Sequence, residues 1–219
     1  MGISGSPVGA VTLLPRSFYE RDVLTCAREL IGCVLHWNGC SGVVVETEAY
    51  SAVGDEASHA FTRPSTRAYM ASHLPGSAYV YFNYGVHWML NVLVKGNLQC
   101  EAVPENGIIL IRAVEPLEGV EILQERRGKR HLHELCSGPG KLAQAFGITG
   151  ADHGRDLTVG PCGFGPRVRE AEVECDVRIG ISRSKELPWR FLMKDSPFVS
   201  KRKTRRPTFG APGLQGTFT

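Results

Sequence analysis

The chain has 219 residues, enough for one domain with a sizeable core, and 42% of them are hydrophobic, a normal share for a globular protein. Its 25 basic and 22 acidic residues leave a net charge of +3, which neither requires nor excludes a polyanionic partner. No run of 18 or more apolar residues occurs, so no membrane partner is expected, and the N-terminus lacks the basic start and apolar stretch of a secretory signal.

Met1 to Ala10 is small and Gly/Ser/Pro-rich and is expected to be disordered. Ser17 with Glu20 predicts a capping box, Val23, Leu24, Ala27, Leu30 and Ile31 follow helical spacing, and Gly32 stops that helix. Val34 to Trp37 reads as a strand, Asn38-Gly39 as a hairpin turn, and Gly42 to Tyr50 as the returning strand. Ser51 to Gly76 is a long polar segment without clear periodicity, of the kind that is functional or disordered. Ala78 to Val94 reads as two strands around a tight turn at Tyr84-Gly85, and Gly107 to Val114 as an apolar strand ending at Arg112. Glu115 to Arg127 reads as helix, Ser137-Gly138-Pro139 opens another that ends at Gly147, and Val173 to Ile181 is a late strand.

Strands outnumber helices and hairpins outnumber crossovers. The expected fold is α+β, a single domain with a largely antiparallel curved β-sheet flanked by helices and a protruding β-hairpin. The expected organisation is a disordered N-terminus over 1–10, a domain over 11–200 and a basic tail over 201–219. Lys201, Arg202, Lys203, Arg205 and Arg206 crowd that tail, as phosphate contacts or as a solvated end. The seven cysteines, at Cys26, Cys33, Cys40, Cys100, Cys136, Cys162 and Cys175, form no C-x-x-C pair and read as thiols of a reduced, intracellular protein. His131, His133 and Cys136 are a weak metal signal with no second pair, so no metal and no cofactor are expected.

Two stretches carry chemistry. On the strand Gly42 to Tyr50, Glu46, Glu48 and Tyr50 share one face, with Thr47 and Ala49 on the other. A partly buried carboxylate there suits a general base acting on water; an edge strand with a charged solvent face is the alternative. The hairpin Tyr79-Val-Tyr-Phe-Asn-Tyr-Gly85 places Tyr79 and Tyr81 on one face and Tyr84 at the tip. Such phenols stack on bases or wedge into a duplex, or lie half-buried in an amphipathic hairpin. Arg112 in an apolar strand needs a partner, for which Glu48 is the natural choice.

Six ordered motifs then become recognisable: Val45-Glu-Thr-Glu-Ala-Tyr50 with Asp55-Glu-Ala-Ser-His59-Ala, Ala78-Tyr-Val-Tyr-Phe-Asn-Tyr-Gly85 with Asn91, Leu110-Ile-Arg-Ala-Val-Glu-Pro116, Cys136-Ser-Gly-Pro-Gly-Lys-Leu142, and Arg178-Ile-Gly180. Together, from about Leu14 to Ser200, they resemble the alkyladenine (3-methyladenine) DNA glycosylase family of the mammalian type. The resemblance implies a monofunctional base-excision repair enzyme, monomeric, acting on double-stranded DNA that contains damaged purines. By the same resemblance Glu48 would be the general base, Arg112 its partner in holding water, and the carbonyl of Ile179 the third ligand. Tyr50, His59 and Tyr81 would wall the flipped base, Asn91 would exclude guanine, Tyr84 would be the intercalating wedge, and Ser65 and Arg67 would contact phosphates. Val86-His87 after the wedge and Ala71-Ser72 depart from the family pattern. A damaged-base-binding protein that does not cleave, and a hydrolase of small nucleosides or sugars, are the alternatives.

Overall fold

A computed structural model describes residues 11–96 and 106–201. After a 3-10 turn at Arg16–Tyr19 come helix α1 (Val23–Glu29) and strands β1 (Cys33–Trp37) and β2 (Cys40–Ser51). Helices α2 (His59–Thr62) and α3 (Pro64–Ser72) follow, then strands β3 (Ala78–Asn83), β4 (His87–Lys95) and β5 (Asn106–Glu118). Helices α4 (Val120–Arg127), α5 (Leu132–Leu135) and α6 (Pro139–Phe146) lead to β6 (Gly163–Arg167), β7 (Val173–Asp176) and β8 (Arg190–Met193). Among the described residues the strands form one sheet, ordered β3-β4-β5-β2-β1-β6 with β8 on β2 and β7 on β8, and every pairing is antiparallel. The expected α+β single-domain architecture is the observed one.

The two faces of the sheet are read directly from the alternation of side chains. One face carries Val80, Leu90, Val92, Val94, Ile109, Ile111 and Ala113 against α1, α4 and α6, and this is the main core. The other carries Tyr79, Leu93 and Ile108 against Ala60, Tyr69 and Met70 of α2 and α3. This smaller cluster leaves the rest of that face open for a site. Strand β2 runs through the middle: β5 pairs along one edge, while β1 pairs with its first half and β8 with its second half on the other. An edge strand with a charged solvent face is therefore excluded, and Glu46 and Glu48 are fully buried.

Several local expectations are corrected. Asp22, not Ser17, caps α1, accepting the Thr25 N–H at 2.7 Å, because the chain from Arg16 to Tyr19 makes a separate 3-10 turn. The segment after Ser51 holds two short helices, the second opened by Pro64. Strand β5 continues past Arg112 to Glu118, so α4 starts only at Val120, after Gly119 turns left-handed at φ 68°. Strand β7 ends at Asp176, which puts Arg178 and Ile179 in a loop. Strands β6 and β8, which the sequence pattern does not predict, are 5 and 4 residues long, too short for a periodic signal.

The expectations for residues 1–10, for Cys100 and for the basic tail beyond Lys201 fall outside the described residues. The six described cysteines are free. Cys136 is buried whereas His131 and His133 are exposed, and no metal-ligating group forms among the described residues. No helix among them is long and apolar enough to cross a membrane.

Candidate active site

The register between β2 and β5 slips three times, once at Ser41/Gly42 and twice beside the buried acids. Val44 faces Val114 and Glu46 faces Ala113, so Val45 is an extra residue; Thr47 faces Ile111, so Arg112 is another. Bulges of this kind re-aim side chains. Here they bring Arg112 between two buried acids: Nε donates to Glu46 Oε1 at 2.9 Å and Nη1 to Glu48 Oε2 at 3.1 Å. Glu46 also accepts the Ser200 amide at 2.5 Å and the Ser200 hydroxyl at 2.8 Å, and Arg190 Nε lies 3.3 Å from it. Two carboxylates and two guanidiniums thus balance in the interior, as buried charges must. Burial works against the charge on Arg112, but Glu48 and then Glu46 outweigh it and raise its pKa above the ordinary arginine value.

Glu48 accepts three hydrogen bonds: from the Ile179 N–H at 2.7 Å, the Tyr50 hydroxyl at 2.8 Å and Arg112. The Ile179 amide that meets Glu48 is a different group from its carbonyl, the expected ligand of the water. Tyr50, Arg112 and Ile179 all line a cavity of about 310 Å³, so the fully buried Glu48 lies one side chain beneath its wall. Burial and the neighbouring Glu48 push the Tyr50 pKa well above its ordinary value, which keeps the phenol protonated as a donor.

His59, Tyr81 and Asn91 line the same cavity. His59 and Tyr81 meet edge to face with centroids 4.5 Å apart. Burial, and then the charge of Arg63, lowers the His59 pKa to about 4, so the imidazole is neutral near pH 7. Burial and the nearby Tyr79 push Tyr81 up to about 12. Asn91 is buried and donates through Nδ2 to Tyr79 O at 3.0 Å and to Met89 O at 3.4 Å, which fixes its amide in the cavity wall.

The β3–β4 hairpin ends at Asn83, where Val86 N–H donates to Asn83 O at 3.0 Å. Between them Tyr84 and Gly85 both take positive φ, 49° and 66°. Tyr84 is 88% exposed, the most exposed of the large hydrophobic side chains described, and its ring borders the cavity mouth. A left-handed tyrosine costs about 1–3 kcal/mol, strain of a kind that clusters at functional positions. His87 packs on α6 at Gly140, where a Cβ would lie 2.7 Å from its ring. Ser65 and Arg67 are exposed on α3 and lie outside the cavity wall. Arg67 Nη1 donates to the Ala60 and Phe61 carbonyls at 3.2 and 3.0 Å.

Sequence reasoning gave no role to Asp55, Arg178, Arg190 or Ser200, and placed Glu46 only on the chemical face beside Glu48. Asp55 and Arg178 form a fully buried bidentate pair at 2.6 and 2.8 Å that ties the loop after β2 to the loop after β7. Both lay inside recognised motifs, and a buried position for either would have implied its partner. Ser200 and Arg190 carry no such signal.

A carboxylate–arginine pair beneath an aromatic cavity, with an exposed ring at a hairpin tip beside it, is the arrangement of a DNA glycosylase, which must extrude a base before cutting it loose. Residues 17–197 match the methylpurine-DNA glycosylase family, and the chain belongs to that family. It is 44% identical over 189 residues to a protein of Rhodopseudomonas palustris, covering 86% of this chain and 88% of that one. A protein of Granulibacter bethesdensis is 43% identical over 199 residues, covering 89% and 90%, and one of Carboxydothermus hydrogenoformans 42% over 197 residues, covering 87% and 100%. All three are provisionally named 3-methyladenine DNA glycosylase.

Proposed function

We propose that the protein is a base-excision repair glycosylase that flips a damaged purine from duplex DNA into the aromatic cavity and hydrolyses its bond to deoxyribose. The carrying observation is Glu48, fully buried beneath that cavity and gripped by Tyr50, Arg112 and Ile179. Glu48 acts as general base on a water that Arg112 and the Ile179 carbonyl help to hold. The transition state has oxocarbenium character, which the carboxylate stabilises while it orients the water.

Tyr50, His59 and Tyr81 wall the extruded base. Asn91 leaves no room for a guanine 2-amino group. Tyr84 fills the gap left in the stack, which offsets part of the few kcal/mol that unstacking costs. Ser65 and Arg67 contact phosphates beside the site. No lysine is among the described residues that line the cavity, so water and not an amine attacks the sugar. The protein works as a monomer. The test is incubation with duplexes carrying hypoxanthine, ethenoadenine or 3-methyladenine, followed by alkaline strand cleavage. Alkali-dependent breaks at the lesion support the reading; lesion binding without breaks would make the protein a damage sensor instead.

A further inference from the structure

Arg178 has no exposed side-chain surface, and its guanidinium is held by Asp55 at 2.6 and 2.8 Å and by the Ala49 carbonyl at 2.9 Å. Its Cζ lies over the Tyr50 ring, 4.6 Å from the centroid. Tyr50 lines the cavity and Arg178 does not, so the cation backs the ring on the side away from a bound base. A tyrosine face attracts cations through its negative quadrupole. With one cation already seated on the ring, a second on the opposite face meets a depleted quadrupole and the charge of the first through a thin apolar spacer. Asp55 offsets part of that charge, so the two residues act on the ring in opposite senses.

We propose that Arg178, backed against Tyr50 and balanced by Asp55, is a specificity-determining positioning residue that biases the pocket toward neutral damaged purines and away from cationic N-alkylpurines. The proposal rests on the glycosylase reading above. It runs against the simpler expectation that aromatic walls favour cationic bases. Glu48 and Glu56, which also stand near the cavity, are unchanged in every variant below, so their effects cancel when each variant's cationic-to-neutral ratio is compared with that of the parent.

The experiment measures single-turnover release from two duplexes, one carrying neutral hypoxanthine and one carrying 3-methyladenine, whose nucleotide is cationic, each corrected for spontaneous loss. Asp55→Asn leaves the guanidinium without its counter-charge and should lower the cationic-to-neutral ratio about threefold or more. The paired variant Asp55→Asn/Arg178→Met removes both charges together and should raise it about three- to tenfold, the range of one cation–π contact. Arg178→Lys keeps the charge and should hold the ratio near that of the parent. A purely structural role would lower both rates and leave the ratio in place in all three variants, and that result overturns the proposal. Melting curves set the assay temperature. If the paired variant does not fold, the isosteric Asp55→Asn decides alone: an unchanged ratio overturns the proposal. A parent protein that releases neither base would sink the glycosylase reading itself.

Discussion

Glu48→Gln separates chemistry from architecture. A carboxylate only accepts, whereas an amide has one accepting and one donating end. Oε1 of Glu48 faces the Ile179 N–H, and Oε2 faces the Tyr50 hydroxyl and Arg112. A glutamine keeps most by turning its oxygen to Tyr50 and Arg112, which sets its NH2 against the Ile179 amide and leaves that donor unpaired. The cost is about 1–3 kcal/mol. For a domain of this size that is a melting drop of roughly 2–12 °C. Below its melting point the variant should still bind lesion duplex and lose single-turnover cleavage by at least about a hundredfold. Glu46→Gln is the control, because Glu46 is just as buried and holds the same arginine. By the same reasoning its glutamine keeps the oxygen toward Arg112 and the Ser200 hydroxyl and leaves the Ser200 N–H unpaired, again at about 1–3 kcal/mol. It should therefore melt within a few degrees of Glu48→Gln yet cleave far faster when both are assayed folded. Near-normal cleavage by Glu48→Gln, or an equal loss in both, would refute the assignment of the base.

Asn91→Ser removes the amide that Tyr79 and Met89 hold and should raise activity on guanine-type lesions relative to hypoxanthine; an unchanged ratio of single-turnover rates counts against exclusion by Asn91. Tyr84→Ser should shift flipping about tenfold to a hundredfold toward the stacked state, since a base–aromatic stack is worth roughly 1–3 kcal/mol. Because Tyr84 is 88% exposed, melting should change little; a variant that melts several degrees lower and flips normally by 2-aminopurine fluorescence would make it a core residue. His59 has a folded pKa of about 4 against an ordinary 6.5, so the unfolded chain takes up its proton first as the pH falls. Its contribution to stability is complete above about pH 6.5 and is lost as the pH drops through about 4, so urea midpoints across that window should fall less steeply in His59→Gln.

The legible parts of the fold were those with a local cause. Asn38 and Gly39 both take positive φ in the β1–β2 turn, and Pro139 and Gly147 bracket α6, as their residue types dictate. The shared face of Glu46, Glu48 and Tyr50 followed from the two-residue period, and the demand of Arg112 for a carboxylate from the cost of burying charge. What stayed hidden was non-local. The slips at Val45 and Arg112 exist only in the pairing of two strands, and they decide that one arginine meets two acids. β8 joins β2 from about 140 residues further along the chain, and Ser200 reaches Glu46 across a separation of 154. No short-range pattern encodes either contact.

The burial of this network argues for its role. Opposed ion pairs in an interior do not repay their desolvation as well as apolar side chains of similar volume would. Strand β2 lies at the centre of the sheet, with Val43, Val44, Val45 and Ala49 in the main core, so an apolar second face at Glu46 and Glu48 would be the more stable choice. The chain instead keeps two acids and two arginines there, fixed by a bulge on each strand, by Ser200 and by the Ile179 amide. Stability alone does not account for such an arrangement. The proposed role of Glu48 as a general base that holds its water in one orientation does, because rigid donors around it remove the reorganisation that a solvated glutamate would undergo at each turnover.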